Sequence, residues 1–221
     1  LTILVFGYEP FLEYVENPSQ IVARTLNGTR LAGHNVVGVV LPVEYGRVES
    51  KILQSIKAAE PSLVLGVGLA PGRGKITPEK VALNYKHSDE PDNAGVKKSG
   101  EFIDKTQPDA FFSNMPVERI VDDLTTKGIP AELSLSAGAY LCNFAMFIIL
   151  REAKKQGFVG GFVHIPCHEE LAAKLTKKNL PSMNIKTMIK AIEVIVEHSL
   201  RTAATPKEAK RTRKLVKNQL E

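Results

Sequence analysis

Short runs of almost unbroken apolar residues recur along this chain, separated by stretches with helical spacing. That alternation constrains the fold more than any other feature. Thr2 to Phe6 is such a run, as are Ser62 to Val67 and Phe158 to Ile165, and Val36 to Leu41 is apolar enough for a central strand. Strands that lack a polar face are buried on both sides. Asn17-Pro18-Ser19 reads as a helix start, with Asn as N-cap and Pro at the first helical position, and that helix stops near Asn27-Gly28. Val48, Ile52, Leu53 and Ile56 fall on one face of a helix over Tyr45 to Ala59. Pro116 to Lys127 predicts a helix closed by Gly128, and Asn184 to Arg201 predicts one capped by Asn184. Val81 to Tyr85 and Ala131 to Leu135 read as further short strands, and Leu171 to Leu180 is basic and ambiguous. The alternation predicts an α/β fold with helices on both faces of the sheet. Functional sites in such folds form beyond the C-terminal ends of the strands.

Four loops follow predicted strands and carry unusual residues: Gly7–Phe11, Leu69–Lys75, Ser136–Cys142 and His164–His168. Leu69 to Lys75 is rich in Gly and Pro but lacks the spacing of a phosphate-binding loop, and it reads as a site loop in which Arg73 pins carbonyls. The most informative stretch is SLSAGAYLCNFAMFIILR, Ser134 to Arg151. Small and hydroxylated residues lead into a segment with the composition of a buried helix, and Cys142 lies within its first turn. A helix N-terminus favours the thiolate, which is the nucleophilic form, so a lowered thiol pKa is expected. Gly138 permits close backbone approach to a ligand, and Asn143 is polar where a plain core helix would be apolar. A nucleophile needs a base, and there are five histidines. His34 and His198 are expected to be solvated, and His87 lies in a polar stretch. His164 ends an apolar strand, which would hold it rigidly. Glu79, after the Gly/Pro loop, is the candidate to orient it. His164, Cys167 and His168 also spell H-x-x-C-H, but structural zinc takes four ligands and no partner pair exists in the sequence.

Composition narrows the alternatives. The chain has 221 residues and two cysteines, too few for a disulfide scaffold and in keeping with a reducing cytoplasm. No apolar run is long enough to span a membrane. The net charge of +5 is modest and much of it lies in Lys207 to Lys217, where no aromatic residues are interleaved for base stacking. Nucleic acid is therefore not an expected partner. No linker or repeat divides the chain, so one domain over residues 1–221 is expected. Lys86 to Asp109 would be a mobile excursion of that domain, and about 203–221 a basic helix or tail.

The residues resemble the pyroglutamyl peptidase I family of cysteine exopeptidases, also called pyrrolidone-carboxylate peptidases. The resemblance rests on GYEPF with NPS at Asn17–Ser19, LPVEY at Leu41–Tyr45, GLAPGR at Gly68–Arg73 and TPEKVALNY at Thr77–Tyr85. It continues through PDNAG at Pro91–Gly95, SLSAGAYLCNFAMF at Ser134–Phe147, GFVHIP at Gly161–Pro166 and PSM at Pro181–Met183. It implies a single α/β/α sandwich around a twisted, mostly parallel mixed sheet. It also implies a homotetramer and hydrolysis of N-terminal pyroglutamyl residues from peptides without metal or cofactor. The nucleophile then falls on Cys142, the base on His164 and its partner on Glu79. Tyr8 and Phe11 would wall the substrate pocket, with Asn17, Leu69 and Leu141 nearby. The chain departs from the family where an Arg commonly lies ten positions after the Glu, since Asp89 stands there and Glu90 follows. Lys80, Glu169 and Leu171 are further departures. Asp89 is expected to face solvent, leaving backbone donors at Cys142 to hold the oxyanion. The rival reading is a pyroglutamate-binding protein without turnover, which would need neither thiol nor base.

Overall fold

The structure, a computed structural model, describes residues 1–175 and 178–203. Its frame is a six-stranded sheet in the order β2-β3-β1-β4-β10-β5. The inner strands are β1 (Thr2–Tyr8), β3 (His34–Leu41), β4 (Leu63–Leu69) and β10 (Val159–Ile165), and they run parallel. Two-residue strands cap both edges antiparallel to their neighbours: β2 (Arg30–Leu31) on β3 and β5 (Thr77–Pro78) on β10. Very short edge strands, one carrying a proline, leave little unpaired backbone for another chain to extend.

Both faces are covered. Ile3, Val5, Leu63, Leu65 and Val163 point to one face. There they meet α1 (Pro18–Leu26), α3 (Val117–Thr126) and α6 (Ile185–Ala203) through Val22, Leu26, Ile120, Leu124, Met188 and Ile192. Leu4, Phe6, Val64 and Phe162 point to the other, against α2 (Tyr45–Ala59) and α4 (Leu141–Gln156). The alternation Ile3/Leu4/Val5/Phe6 is the period of two of a strand feeding two cores. Helix α4 is buried on nearly every side, which accounts for its apolar composition. Gly7 and Gly38 let α1 settle on the sheet, since a Cβ at either would lie 2.0 or 1.8 Å from a carbonyl oxygen of that helix. Asn17 caps α1 by accepting from Ser19 N, as its sequence predicts.

Several expectations change. The strand over Val36–Leu41 is not central: β3 lies one place from the edge, and only its Val36 and Leu41 are buried, with Val37 exposed. Val81–Tyr85 shortens to β6 (Val81–Leu83), which leaves the main sheet to pair with β9 (Ala110–Phe112). Ala131–Leu135 is not a strand but an extended segment with isolated bridges Ile76↔Ala131 and Glu79↔Ser134. Backbone bonds join Ile76 N to Pro130 O, Glu132 N to Ile76 O, Ser134 N to Pro78 O and Lys80 N to Ser134 O. The rung missing from this parallel ladder is the one Pro78 would donate, and proline has no N–H.

The polar excursion has structure of its own. Strands β7 (Lys86–Ser88) and β8 (Lys98–Glu101) pair antiparallel. Buried Asn84 donates to the carbonyls of Asp104, Gln107 and Pro108. Buried Asp92 accepts from Tyr45 N, Ala94 N and Val96 N. Asp92, within the stretch expected to be mobile, and Asn84, just before it, tie it down. Helix α5 (Glu169–Lys174) occupies the start of the ambiguous basic stretch. The expected basic tail beyond residue 203 lies outside the described residues.

Candidate active site

Tyr8 and Leu69 end β1 and β4, and His164 is the next-to-last residue of β10. The site is therefore at the C-terminal edge of the sheet, where strand order turns outward on both sides of β1. His164 pairs in register with Gly68 of the neighbouring strand. A Cβ on Gly68 would lie 2.8 Å from the Cys142 sulfur, so the thiol rests against bare β4 backbone beside His164. Sequence reading passed over Gly68, because nothing in it indicates that a helix lays its cysteine on that strand.

Cys142 is the second residue of α4. Its leader folds on its own hydroxyls: Ser136 N donates to Ser134 Oγ and Gly138 N to Ser136 Oγ. Gly138 has φ +78 and meets no neighbour within 4 Å of an added Cβ, so this glycine is required by the backbone and not by space. The N-cap Tyr140 provides no side-chain cap, which leaves the first amides of α4 free of side-chain partners.

The expected lowering of the thiol pKa is not what the site produces. Burial, reinforced by the Glu79 charge and opposed by Arg73, pushes Cys142 up to about 12. The helix N-terminus does not offset desolvation here. The thiolate therefore needs a proton acceptor at hand.

Glu79 supplies the other half. It follows β5, and its N–H donates to Phe162 O at 2.9 Å, which extends the antiparallel pairing past Pro78. That places its side chain diagonal to His164 on one face of the sheet. His164 Nδ1 donates to Glu79 Oε1 at 2.7 Å, with Glu79 fully buried and His164 5% exposed. Burial raises the Glu79 carboxyl, but the bond and charge of His164, with Ser134 and Arg73, outweigh it and hold it below its ordinary value. Fixing Nδ1 as the protonated nitrogen leaves Nε2 as the basic one. The sequence missed the role of Arg73. Its guanidinium bonds one carbonyl, as expected, but it also donates to Glu79 Oε1 at 2.7 Å.

Cys142 and His164 line a cavity of about 180 Å³. Tyr8 and Phe11, which the resemblance gives as walls, border it, as do Asn17, Leu69 and Leu141, which it places nearby, together with Val43, Pro71, Ala137 and Tyr140. Apart from Cys142 and His164, its polar side chains already have partners. Tyr8 OH donates to Leu141 O, Tyr140 OH donates to Pro91 O, and Asn17 bonds Ser19 and Glu9. Such walls suit a small, neutral, largely apolar group.

Other candidates resolve differently. Asn143 does not face the cavity: its side chain pairs with the backbone of Leu83 and Tyr85 and clamps β6 to α4. His198 is not solvated but half-buried beside Asp123. His168 is buried with Nε2 on Glu16, and fully buried Cys167 packs with Tyr14, Leu69 and Leu171. Among the described residues no three His, Cys, Asp or Glu side chains are grouped to hold a metal. The Asp89 side chain is 99% exposed and puts no charge into the site.

A family model for pyroglutamyl peptidase matches residues 1–202. A pyrrolidone-carboxylate peptidase of Saccharolobus islandicus is 55% identical over 200 residues, covering 90% of this chain and 95% of that protein. One from Halalkalibacterium halodurans is 39% identical over 198 residues, covering 88% and 97%. The solved structure of pyrrolidone carboxyl peptidase from the hyperthermophile Pyrococcus furiosus superposes with a TM-score of 0.89 at 34% identity, covering 92% of this chain and all of that one.

Proposed function

The chain belongs to the pyroglutamyl peptidase family, and from that premise we propose that Cys142, His164 and Glu79 carry its peptidase reaction. The enzyme is a cysteine-type exopeptidase that removes an N-terminal pyroglutamyl residue. The observation that supports this assignment is the meeting of the Cys142 thiol and the Glu79-bound His164 on one small apolar cavity.

In the proposed reaction the pyroglutamyl ring enters between Tyr8, Phe11 and Leu141. His164 Nε2 accepts the thiol proton as sulfur attacks the carbonyl carbon, and Glu79 stabilises the imidazolium. The uncapped amides at the start of α4 take the charge on the carbonyl oxygen. The imidazolium then protonates the leaving amine, and the C–N bond breaks to give a thioester. Water, deprotonated by His164, attacks that thioester, and pyroglutamate leaves as the thiol is restored. A charged α-amino group would enter a largely apolar cavity, at a desolvation cost of several kcal/mol.

A fluorogenic pyroglutamyl amide tests the reading. Turnover by the wild-type chain is expected, together with none on the matching glutamyl amide. Binding of pyroglutamate without turnover would instead favour a non-catalytic binder. We place the enzyme in the cytoplasm, a reducing compartment that suits its two free thiols. Among the described residues no helix is long and apolar enough to cross a membrane. By resemblance it assembles as a homotetramer, and exposed Leu135 and Phe112 offer apolar surface for that. Light scattering at micromolar concentration should then give a mass of several chains, and the mass of a single chain would count against the assembly.

A further inference from the structure

We propose that Arg73 is a positioning residue of the peptidase reaction, setting the charge and place of Glu79 and joining it to the leader of the Cys142 helix. The proposal rests on the assignment of Cys142, His164 and Glu79 as the reacting set. Arg73 lies on the loop after β4 and does not line the substrate cavity. Its Nη1 donates to Glu79 Oε1 at 2.7 Å, to Thr77 Oγ1 at 2.8 Å and to Ser134 Oγ at 3.3 Å, and its Nη2 donates to Ser136 O at 3.1 Å.

The acceptors fall on two segments of the site, Thr77 and Glu79 on either side of Pro78 and Ser134 and Ser136 in the leader of α4. Glu79 orients the base. Thr77 donates in turn to the backbone carbonyl of His164 at 3.3 Å. Ser134 and Ser136 shape the turn that delivers Cys142. One planar cation thus ties the loop after β4 to β5 and to the leader of the Cys142 helix. The edge strand β5 has only two residues, and Pro78 interrupts the ladder beside it. A carboxylate with no exposure needs a cation or several donors to stay ionised. Arg73, at 2.7 Å, gives that carboxylate a permanent charge. That charge also favours the thiolate at Cys142, against burial and against Glu79. A lysine could supply charge but not the fork that reaches Glu79 and Ser136 together.

The test is steady-state kinetics on the pyroglutamyl amide across pH for wild type, Arg73→Gln and Arg73→Lys. Asp89→Ala serves as a control because its side chain is 99% exposed. In Arg73→Gln kcat should fall about ten- to a hundred-fold, the usual cost of losing an outer partner of a reacting group. KM should change less than about threefold, since Arg73 does not line the cavity. The acid limb of kcat should move to higher pH. Glu79 loses a cation that opposes its protonation, so the carboxyl is neutralised earlier as pH falls. Arg73→Lys should keep the wild-type limb and recover part of kcat. An unchanged kcat in Arg73→Gln overturns the inference. So does a loss confined to KM, or a lower kcat with an unmoved limb and a lowered Tm. Should Arg73→Gln fail to fold, Arg73→Lys decides: a limb displaced from wild type overturns it, and a wild-type limb with reduced kcat supports it. Absence of turnover in wild type would sink the peptidase assignment itself, whereas active wild type with indifferent Arg73 variants sinks only the role of Arg73.

Discussion

Replacing Cys142 with Ala should lower hydrolysis of a pyroglutamyl amide by at least about ten-thousand-fold, leaving only what binding and the remaining donors supply. The size of the effect follows from the state of the thiol. With burial holding it near 12, a lone Cys142 would be ionised at pH 7 to about one part in a hundred thousand. The sulfur therefore attacks as its proton passes to His164, and neither partner suffices alone. Iodoacetamide reads the same coupling without a substrate. Alkylation of the wild-type chain should track loss of activity one for one at Cys142. In His164→Ala alkylation should become slow near neutrality and recover only as pH approaches 12. Cys167 is fully buried, and burial raises its thiol pKa too, so it should react far more slowly. Mass mapping that placed the inactivating label on Cys167 would overturn the assignment of the nucleophile.

Cys142 and His164 were legible in the sequence because each stands where an element begins or ends. A cysteine in the first turn of an apolar helix and a histidine closing an apolar strand are both recoverable from local pattern. The strands β1, β4 and β10 and the helices α1, α2, α3 and α6 were visible for the same reason, since burial leaves a period of two or 3.6 in the chain. What depends on contacts between distant segments left no local trace. Asn143 looked like a site residue because it is polar within an apolar helix, yet its polarity serves the backbone of Leu83 and Tyr85. Asp92 looked like a loop residue and Asn84 like part of a strand, and both are buried clamps. Arg73 was read as pinning carbonyls, and its bond to the Glu79 carboxylate appears only once β5 folds back against β10. Thiol ionisation was misjudged because the helix N-terminus can be read from sequence, whereas the depth of burial cannot.

Glu79→Ala should cost about ten-thousand-fold in kcat, the scale seen when a base loses the carboxylate that fixes its tautomer. Glu79→Gln should be milder, about a hundred- to a thousand-fold, and the reason is Arg73. An isosteric amide could turn its NH2 toward His164 and impose the wrong tautomer. Arg73 Nη1 and His164 Nδ1 share Oε1, however, and the guanidinium can only donate. It therefore holds the amide oxygen toward His164, so the substitution removes charge and leaves orientation in place. Stability should carry the same signature. Glu79 is held below its ordinary pKa when folded, so its contribution is present above the unfolded-state value and is lost as pH falls through the lowered folded one. The Tm gap between wild type and Glu79→Gln should accordingly be widest above the ordinary glutamate range and close as the solution becomes more acidic. If Glu79→Gln is as inactive as Glu79→Ala while folded, or if the gap widens toward low pH, then Arg73 does not orient the carboxylate and its charge is not what the fold maintains at this site.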